Sequence, residues 1–242
     1  MRQSNLYLVI YAAALTAICG ALLAFTSESL KPKQKANQEI ERKTIILKTA
    51  GLDLAQWSDV QKLYEERVKS YVVNHNGEVV DGVDAEAVEI AKEFKKPVEE
   101  RLLPVYEVSN EQGEVVAYVL PMYGNGLWDA IWGYIALAPD MNTIVGVNFD
   151  HKSETPGLGA RITTEEVQKR FVGKKIFNEK DEIVGVEMQK GEVGNEAYAN
   201  DPHKVDGMSG ATLTGKGVNQ MIYDYMKAYE RFLRSKRTTQ NA

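Results

Sequence analysis

Asp206-Gly207-Met208-Ser209-Gly210-Ala211-Thr212-Leu213-Thr214-Gly215-Lys216-Gly217 is the most informative stretch of this chain. It holds four glycines, three hydroxyl side chains and one lysine, and it runs straight into an amphipathic segment. A loop of that composition surrounds an anion with backbone N–H groups at a helix N-terminus, and phosphate is the natural guest. Taken alone, the composition favours the plainer reading, a flexible turn capping the last helix. Residues 215–234 predict that closing helix, with Val218, Ile222, Met226, Tyr229 and Phe232 on one face. Upstream the pattern changes to strands. Residues 105–108 and 114–120 flank a hairpin loop at 109–113, and residues 132–137 and 143–149 flank a second at 138–142. Residues 163–171 read as a short helix capped by Thr163, and 181–188 as another strand. Hairpins with helices set apart from them predict an α+β fold, with a mainly antiparallel sheet and flanking helices.

The N-terminal part reads as helical. Residues 36–73 carry apolar positions at Ile40, Ile45, Leu47, Leu52 and Leu54, with a break at Gly51. Ser58 opens a second helix through Val60, Leu63, Tyr64 and Val68. His75-Asn76-Gly77 marks a turn, and residues 84–94 a further helix ended by Pro97. Residues 6–25 are apolar apart from Thr16, and no charge falls between Arg2 and Glu28. A helix of roughly 20 such residues spans a bilayer. A cleaved signal peptide fits less well, because Arg2 alone precedes the apolar run and no A-x-A site follows it. Lys31, Lys33, Lys35, Arg42 and Lys43 follow the span. Charge counting therefore points to a cytoplasmic domain, although long domains cross membranes largely regardless of flanking charge.

The chemistry is bounded mostly by exclusion. A net charge of −5 over 242 residues offers no basic surface for nucleic acid. Cys19 is the one cysteine, so neither an internal disulfide nor a cysteine-held zinc or iron–sulfur site is available. Gly210, Gly215 and Lys216 fit G-x-x-x-x-G-K, but Gly217 stands where a nucleotide-binding P-loop needs Ser or Thr for Mg²⁺. Only about one helix follows, whereas a P-loop sits early in a parallel sheet. His151 and Glu154 could pair on a metal, yet His75 and His203 lie far off in sequence, and no metal site is expected. No catalytic triad or acid/base pair stands out, and no catalytic residue is predicted.

Asp206-Gly207-Met208-Ser209-Gly210-Ala211-Thr212 resembles the D-G-x-S/T-G-A-T motif of the FMN-binding domain family. In that family a flavin transferase joins FMN through its phosphate to the threonine hydroxyl. The resemblance implies Thr212 as the acceptor, with Asp206, Gly207, Ser209, Gly210 and Ala211 as surrounding recognition residues, and Thr214 as a nearby bystander. Gly124-Asn125-Gly126-Leu127-Trp128 and His151-Lys152-Ser153-Glu154-Thr155-Pro156-Gly157-Leu158-Gly159-Ala160 are similar to two stretches of the C subunits of sodium-translocating NADH:quinone reductases. Trp128, Glu154, Thr155 and Leu158 are thereby candidate flavin contacts, while Trp132 reads as a strand aromatic. The implied activity is one-electron relay by covalent FMN, between an iron centre and the next flavin of a multi-subunit complex coupled to sodium export. This chain alone should neither oxidise NADH nor conduct sodium. Implied partners are the other membrane subunits, the flavin transferase and membrane lipid. The implied location is the bacterial inner membrane with the soluble domain on the outer face, against the charge count. Two alternatives stay open: the G subunit of the related ferredoxin:NAD reductase, or an anchored binding protein without cofactor. The expected organisation is a tail at 1–5, a transmembrane helix at 6–26, a helical juxtamembrane subdomain at 27–100, an FMN-binding domain at 101–235 and a tail at 236–242.

Overall fold

The computed structural model describes residues 5–55, 57 and 59–240, so most of the expected tail at 1–5 lies outside the described residues. The chain divides into two units, Met1–Lys43 and Thr44–Ala242. The first consists of most of helix α1 (Asn5–Thr49). Its apolar part is long enough to cross a membrane, and none of it is buried against protein. Thr16 and Thr26 return their hydroxyls to the carbonyls of Ala12 and Leu22 (2.8 and 2.9 Å), so neither exposes an unpaired donor. The helix stops where the Gly51 break was expected. Gly51 takes a φ of +86°, its N–H donates to Lys48 O, and Leu52 N–H donates back to Leu47 O (3.1 Å). That is a Schellman ending, which requires a residue tolerant of left-handed backbone.

The second unit is a five-stranded antiparallel sheet in the order β1-β2-β3-β4-β5, covered on both faces. Its strands are β1 (Val68–Val73), β2 (Leu103–Ser109), β3 (Val115–Asn125), β4 (Ala130–Leu137) and β5 (Ile144–His151). Strand side chains alternate between faces. Val105, Leu120, Met122, Ile131 and Phe149 enter one core, shared with the C-terminal helices α5 (Thr212–Ala228) and α6 (Glu230–Gln240). Val72, Tyr106, Val108, Val119 and Ala136 enter a second, closed by Ile46 and Leu47 from the end of α1 and by α2 (Val60–Arg67). Both expected hairpins are present, with β2 paired to β3 and β4 to β5.

Several elements differ from expectation. The helical stretch expected to reach 73 ends at Arg67, because Val68–Val73 pairs with β2 and its valines fill the sheet. Residues 68–73 thus share a sheet with 103–125, and the compact unit runs from Thr44 rather than dividing near 100. Ser58 lies outside the described residues; Asp59 caps α2 by accepting Lys62 N–H at 3.1 Å. Residues 84–94 form only a 3₁₀ turn at Ala85–Ala87 and a short α3 (Ile90–Glu93), since Val88 and Glu89 are extended. In place of a helix over 163–171, a 3₁₀ turn (Gly159–Thr163) is followed by the short α4 (Glu165–Lys169), flanked by Thr164, not capped by Thr163. The strand expected at 181–188 shrinks to β6 (Glu187–Met188), paired in parallel with β7 (Lys204–Val205). Positive φ at Asp181 and Gly185 interrupts it. The closing helix starts earlier, at Thr212, and breaks at Tyr229; its expected face is buried. Residues 236–240, expected as a tail, belong to α6.

Candidate functional site

Three segments converge at one end of the sheet: the turn after β3, the loop after β5 and the start of α5. Close backbone contacts bring them together. A Cβ on Gly124 would sit 2.9 Å from Met221 Cβ, and one on Gly217 only 2.4 Å from Asn125 O. Glycines at both places therefore let α5 lie directly across the end of β3. Asn219 fixes the other side of the helix by donating to Met188 O and accepting Met188 N–H (3.0 and 2.7 Å).

Glu154 stands at the convergence, 3% exposed. Its Oε1 accepts Trp128 N–H at 2.9 Å, and its Oε2 accepts the Thr214 hydroxyl at 2.6 Å. Gly126 and Gly159 abut the same carboxylate, where an added Cβ would lie 2.4 and 2.5 Å from its oxygens. Glu154 N–H in turn donates to His151 Nδ1 at 3.1 Å, which commits that ring nitrogen. One carboxylate thus ties together the three segments that sequence motifs had singled out separately. Thr214 is fully engaged and buried, whereas Thr212, the first residue of α5, is partly exposed. Its hydroxyl has no partner among the described residues. Around Thr212 lie exposed Ser209 and Gly210, the latter with φ +73° and a Cβ position 2.9 Å from Leu158 Cδ2. Trp128 is 68% exposed, with its ring N–H on the Thr155 hydroxyl at 3.2 Å. Leu127, Leu158 and Leu213 are exposed too.

A second layer lies beneath. Asp206 is buried, and its carboxylate accepts the N–H groups of Val193, Gly194 and Gly207 (2.9, 2.9 and 3.1 Å). It braces the loop from below. Gly207 packs against backbone, since a Cβ there would meet Gln189 O at 1.9 Å, and Ala211 is buried. Of the sequence candidates, Ser209, Gly210, Thr212, Trp128, Thr155 and Leu158 meet at the surface, while Asp206, Gly207, Ala211 and Glu154 support them from within.

Sequence reading missed the ion network of this layer. Arg170, with its side chain 3% exposed, donates to the carbonyls of Asp206 and Gly207 and to Glu192 Oε1 (2.9 Å). Arg161 holds Glu192 through both carboxylate oxygens (2.8 and 2.6 Å), and Ser209 N–H reaches Glu192 at 3.3 Å. The hydrogen bonds from Arg161, then Arg170, hold the Glu192 carboxyl well below the usual range. In sequence, Glu166 and Arg170 look like an ordinary helix-surface pair, so no signal marked Arg170 as buried.

Comparison with known proteins agrees with this geometry. The FMN-binding domain model matches residues 126–227, which contain all three converging segments. The C subunit of the Na(+)-translocating NADH-quinone reductase of Haemophilus ducreyi is 37% identical over 220 residues, spanning 85% of this chain and 83% of the relative. The chain belongs to the NqrC family, the C subunits of Na(+)-translocating NADH-quinone reductases. The corresponding protein of Pasteurella multocida is 34% identical, with the same coverage of each chain. The crystal structure of the C subunit from Parabacteroides distasonis superposes with a TM-score of 0.71 at 36% identity, covering 84% of this chain and 96% of that one. NqrC from Shewanella oneidensis gives 0.73 at 28% identity, covering 84% and 99%. As a member of the NqrC family, the chain is part of an oxidoreductase complex and has an FMN-binding domain behind a single N-terminal apolar helix.

The residues present fit FMN. A hydroxyl opens outward at the first turn of α5, where helix N–H groups have no intrahelical acceptor. The backbone beside it at Gly210 carries no side chain, and Trp128, Leu127, Leu158 and Leu213 offer apolar surface to a flat ring.

Proposed function

We propose that Thr212 carries FMN as a phosphoester and that the protein relays single electrons between an iron centre and the next flavin of the complex, coupled to sodium export. The observation that carries this reading is the unequal state of the two hydroxyls: Thr214 is buried on Glu154, and Thr212 is open. A transferase can reach only an accessible hydroxyl. Bound FMN supplies the redox chemistry, and the protein binds, orients and partly shields it. Glu154 fixes the rotation of α5 that turns Thr212 outward. Arg170, Glu192 and Asp206 hold the loop leading to it. Trp128 offers its exposed face to the ring. The scheme assigns the iron centre to a neighbouring member of the complex. The partners are therefore the other membrane subunits, a flavin transferase during maturation, and lipid around the apolar helix. The domain works on the outer face of the inner membrane.

The experiment is intact and peptide mass spectrometry of the full chain produced with a flavin transferase. One FMN increment on the peptide containing Thr212, absent in Thr212→Ala, is expected. Flavin on Thr214, or none in the parent, refutes the assignment. Protease digestion restricted to inside-out vesicles would refute the outer-face location.

A further inference from the structure

Lys216 takes no part in the arrangement described above. It lies one turn beyond Thr212 on the same face of α5. Its side chain is exposed, and it has no ion pair or hydrogen bond among the described residues. The carboxylates of the site described above are already engaged. Glu154 holds Trp128 N–H and Thr214, Glu192 holds Arg161 and Arg170, and Asp206 holds three backbone amides. The two arginines are equally committed, to Glu192 and Glu166. Farther along the stripe, Gln220 donates to Asp224 at 2.7 Å, which occupies the next acid. The flanking glycines pack inward: a Cβ on Gly217 would strike Asn125 O, and one on Gly215 would lie 3.1 Å from Met188 Sδ. Lys216 is thus an unneutralised cation facing outward beside Thr212. Long side chains on a helix lean toward its N-terminus, so the ammonium leans over the turn that carries Thr212.

We propose that Lys216 is the cation that binds the flavin phosphate at Thr212. The inference rests on the assignment of Thr212 as the attachment residue. A phosphodiester keeps one negative charge, and a lysine ammonium on a flexible stem meets it as a point charge without fixed geometry. Lysine here does the phosphate-neutralising part of a P-loop lysine, with no strand, magnesium ligand or nucleotide pocket to accompany it. During attachment the transferase exchanges the phosphoanhydride bond of a flavin dinucleotide donor for the ester bond to Thr212. The nucleoside monophosphate leaves and the hydroxyl proton passes to solvent. The Lys216 charge draws the flavin phosphate toward that hydroxyl.

The test compares Lys216→Gln, Lys216→Glu and Lys216→Arg with the parent and with Thr212→Ala, all as full chains in detergent. Intact mass reads the initial rate of flavin attachment by the transferase, and phosphorus NMR reads the environment of the attached phosphate. Loss of one exposed charge at contact distance should slow attachment about five-fold in the glutamine variant. The glutamate variant should be slower still, and arginine should restore the parent rate. The phosphorus resonance should move in the glutamine and glutamate variants, which a solvated surface lysine would not cause. Parent-like rates and resonances in both variants, with flavin on Thr212, overturn the lysine inference alone. Flavin persisting in Thr212→Ala, or missing from the parent, removes the Thr212 assignment and this inference with it.

Discussion

Thr212 and Thr214 should respond to the same substitution in opposite ways. Valine replaces threonine with nearly the same shape and deletes the hydroxyl. In Thr214→Val the lost donor is the one that holds Glu154 Oε2 at 2.6 Å, in a site where both residues are buried. A hydrogen bond to a charged partner contributes about 1.5–3 kcal/mol, and the carboxylate oxygen left behind stays desolvated. The expected destabilisation is about 2 kcal/mol, which for a domain of this size lowers Tm by about 4–8 °C. Thr212→Val removes a partly exposed hydroxyl with no protein partner, so stability should change by no more than about 0.5 kcal/mol. Flavin attachment should show the reverse order: retained in Thr214→Val at permissive temperature and abolished in Thr212→Val. Urea or thermal unfolding of the full chain in detergent, followed by near-ultraviolet circular dichroism, measures the first quantity, and intact mass the second. A stability loss in Thr212→Val matching that in Thr214→Val would refute the reasoning. So would flavin lost from a Thr214→Val protein that is still folded.

Asp206→Ala should leave three amides without their acceptor, of which only that of Gly207 is fully buried, and cost about 2 kcal/mol, with faster hydrogen exchange at Val193 and Gly194 as the direct check. Glu192 has a folded pKa held below its unfolded value by Arg161 and Arg170. In the interval between the two values the unfolded chain binds more protons, so the stability from this group is complete above the ordinary glutamate range and lost as pH falls through the lowered value. Glu192→Gln should therefore flatten the acid side of the stability–pH curve, and an unchanged slope would count against the network. Trp128→Ala, at a side chain 68% exposed, should leave Tm within about 2 °C while shifting the flavin absorption spectrum. Deleting residues 1–43 should give a soluble folded domain, whereas deletion through residue 49 removes Ile46 and Leu47 from a core and should yield aggregates, as gel filtration would show.

The sequence by itself determined the apolar N-terminal helix, both central hairpins, the Gly51 stop and the three segments of the site. Each rests on local chemistry: an uncharged run, alternation around turn residues, a glycine where left-handed backbone is required, or a short motif. It misread elements whose state depends on distant neighbours. Residues 68–73 have enough helical spacing to look helical, but β2 supplies a ladder for them. Residues 181–188 look like one strand, but positive φ at Asp181 and Gly185 breaks it, leaving a bridge at Ile183 and the short β6. The site followed the same division. The motif pointed to Thr212 by resemblance, yet local geometry left two hydroxyls open, since 212 and 214 share a face if extended and diverge by roughly 200° in a helix. Only the tertiary structure decided between those geometries. The helix begins at Thr212, and Glu154, 60 residues away in sequence, buries Thr214 against itself. The ion network of Arg161, Arg170 and Glu192 was invisible for the same reason. A charged residue in sequence reads as solvated, and only the packing of α4 against the 206–209 loop takes Arg170 out of water and makes its hydrogen bonds decisive.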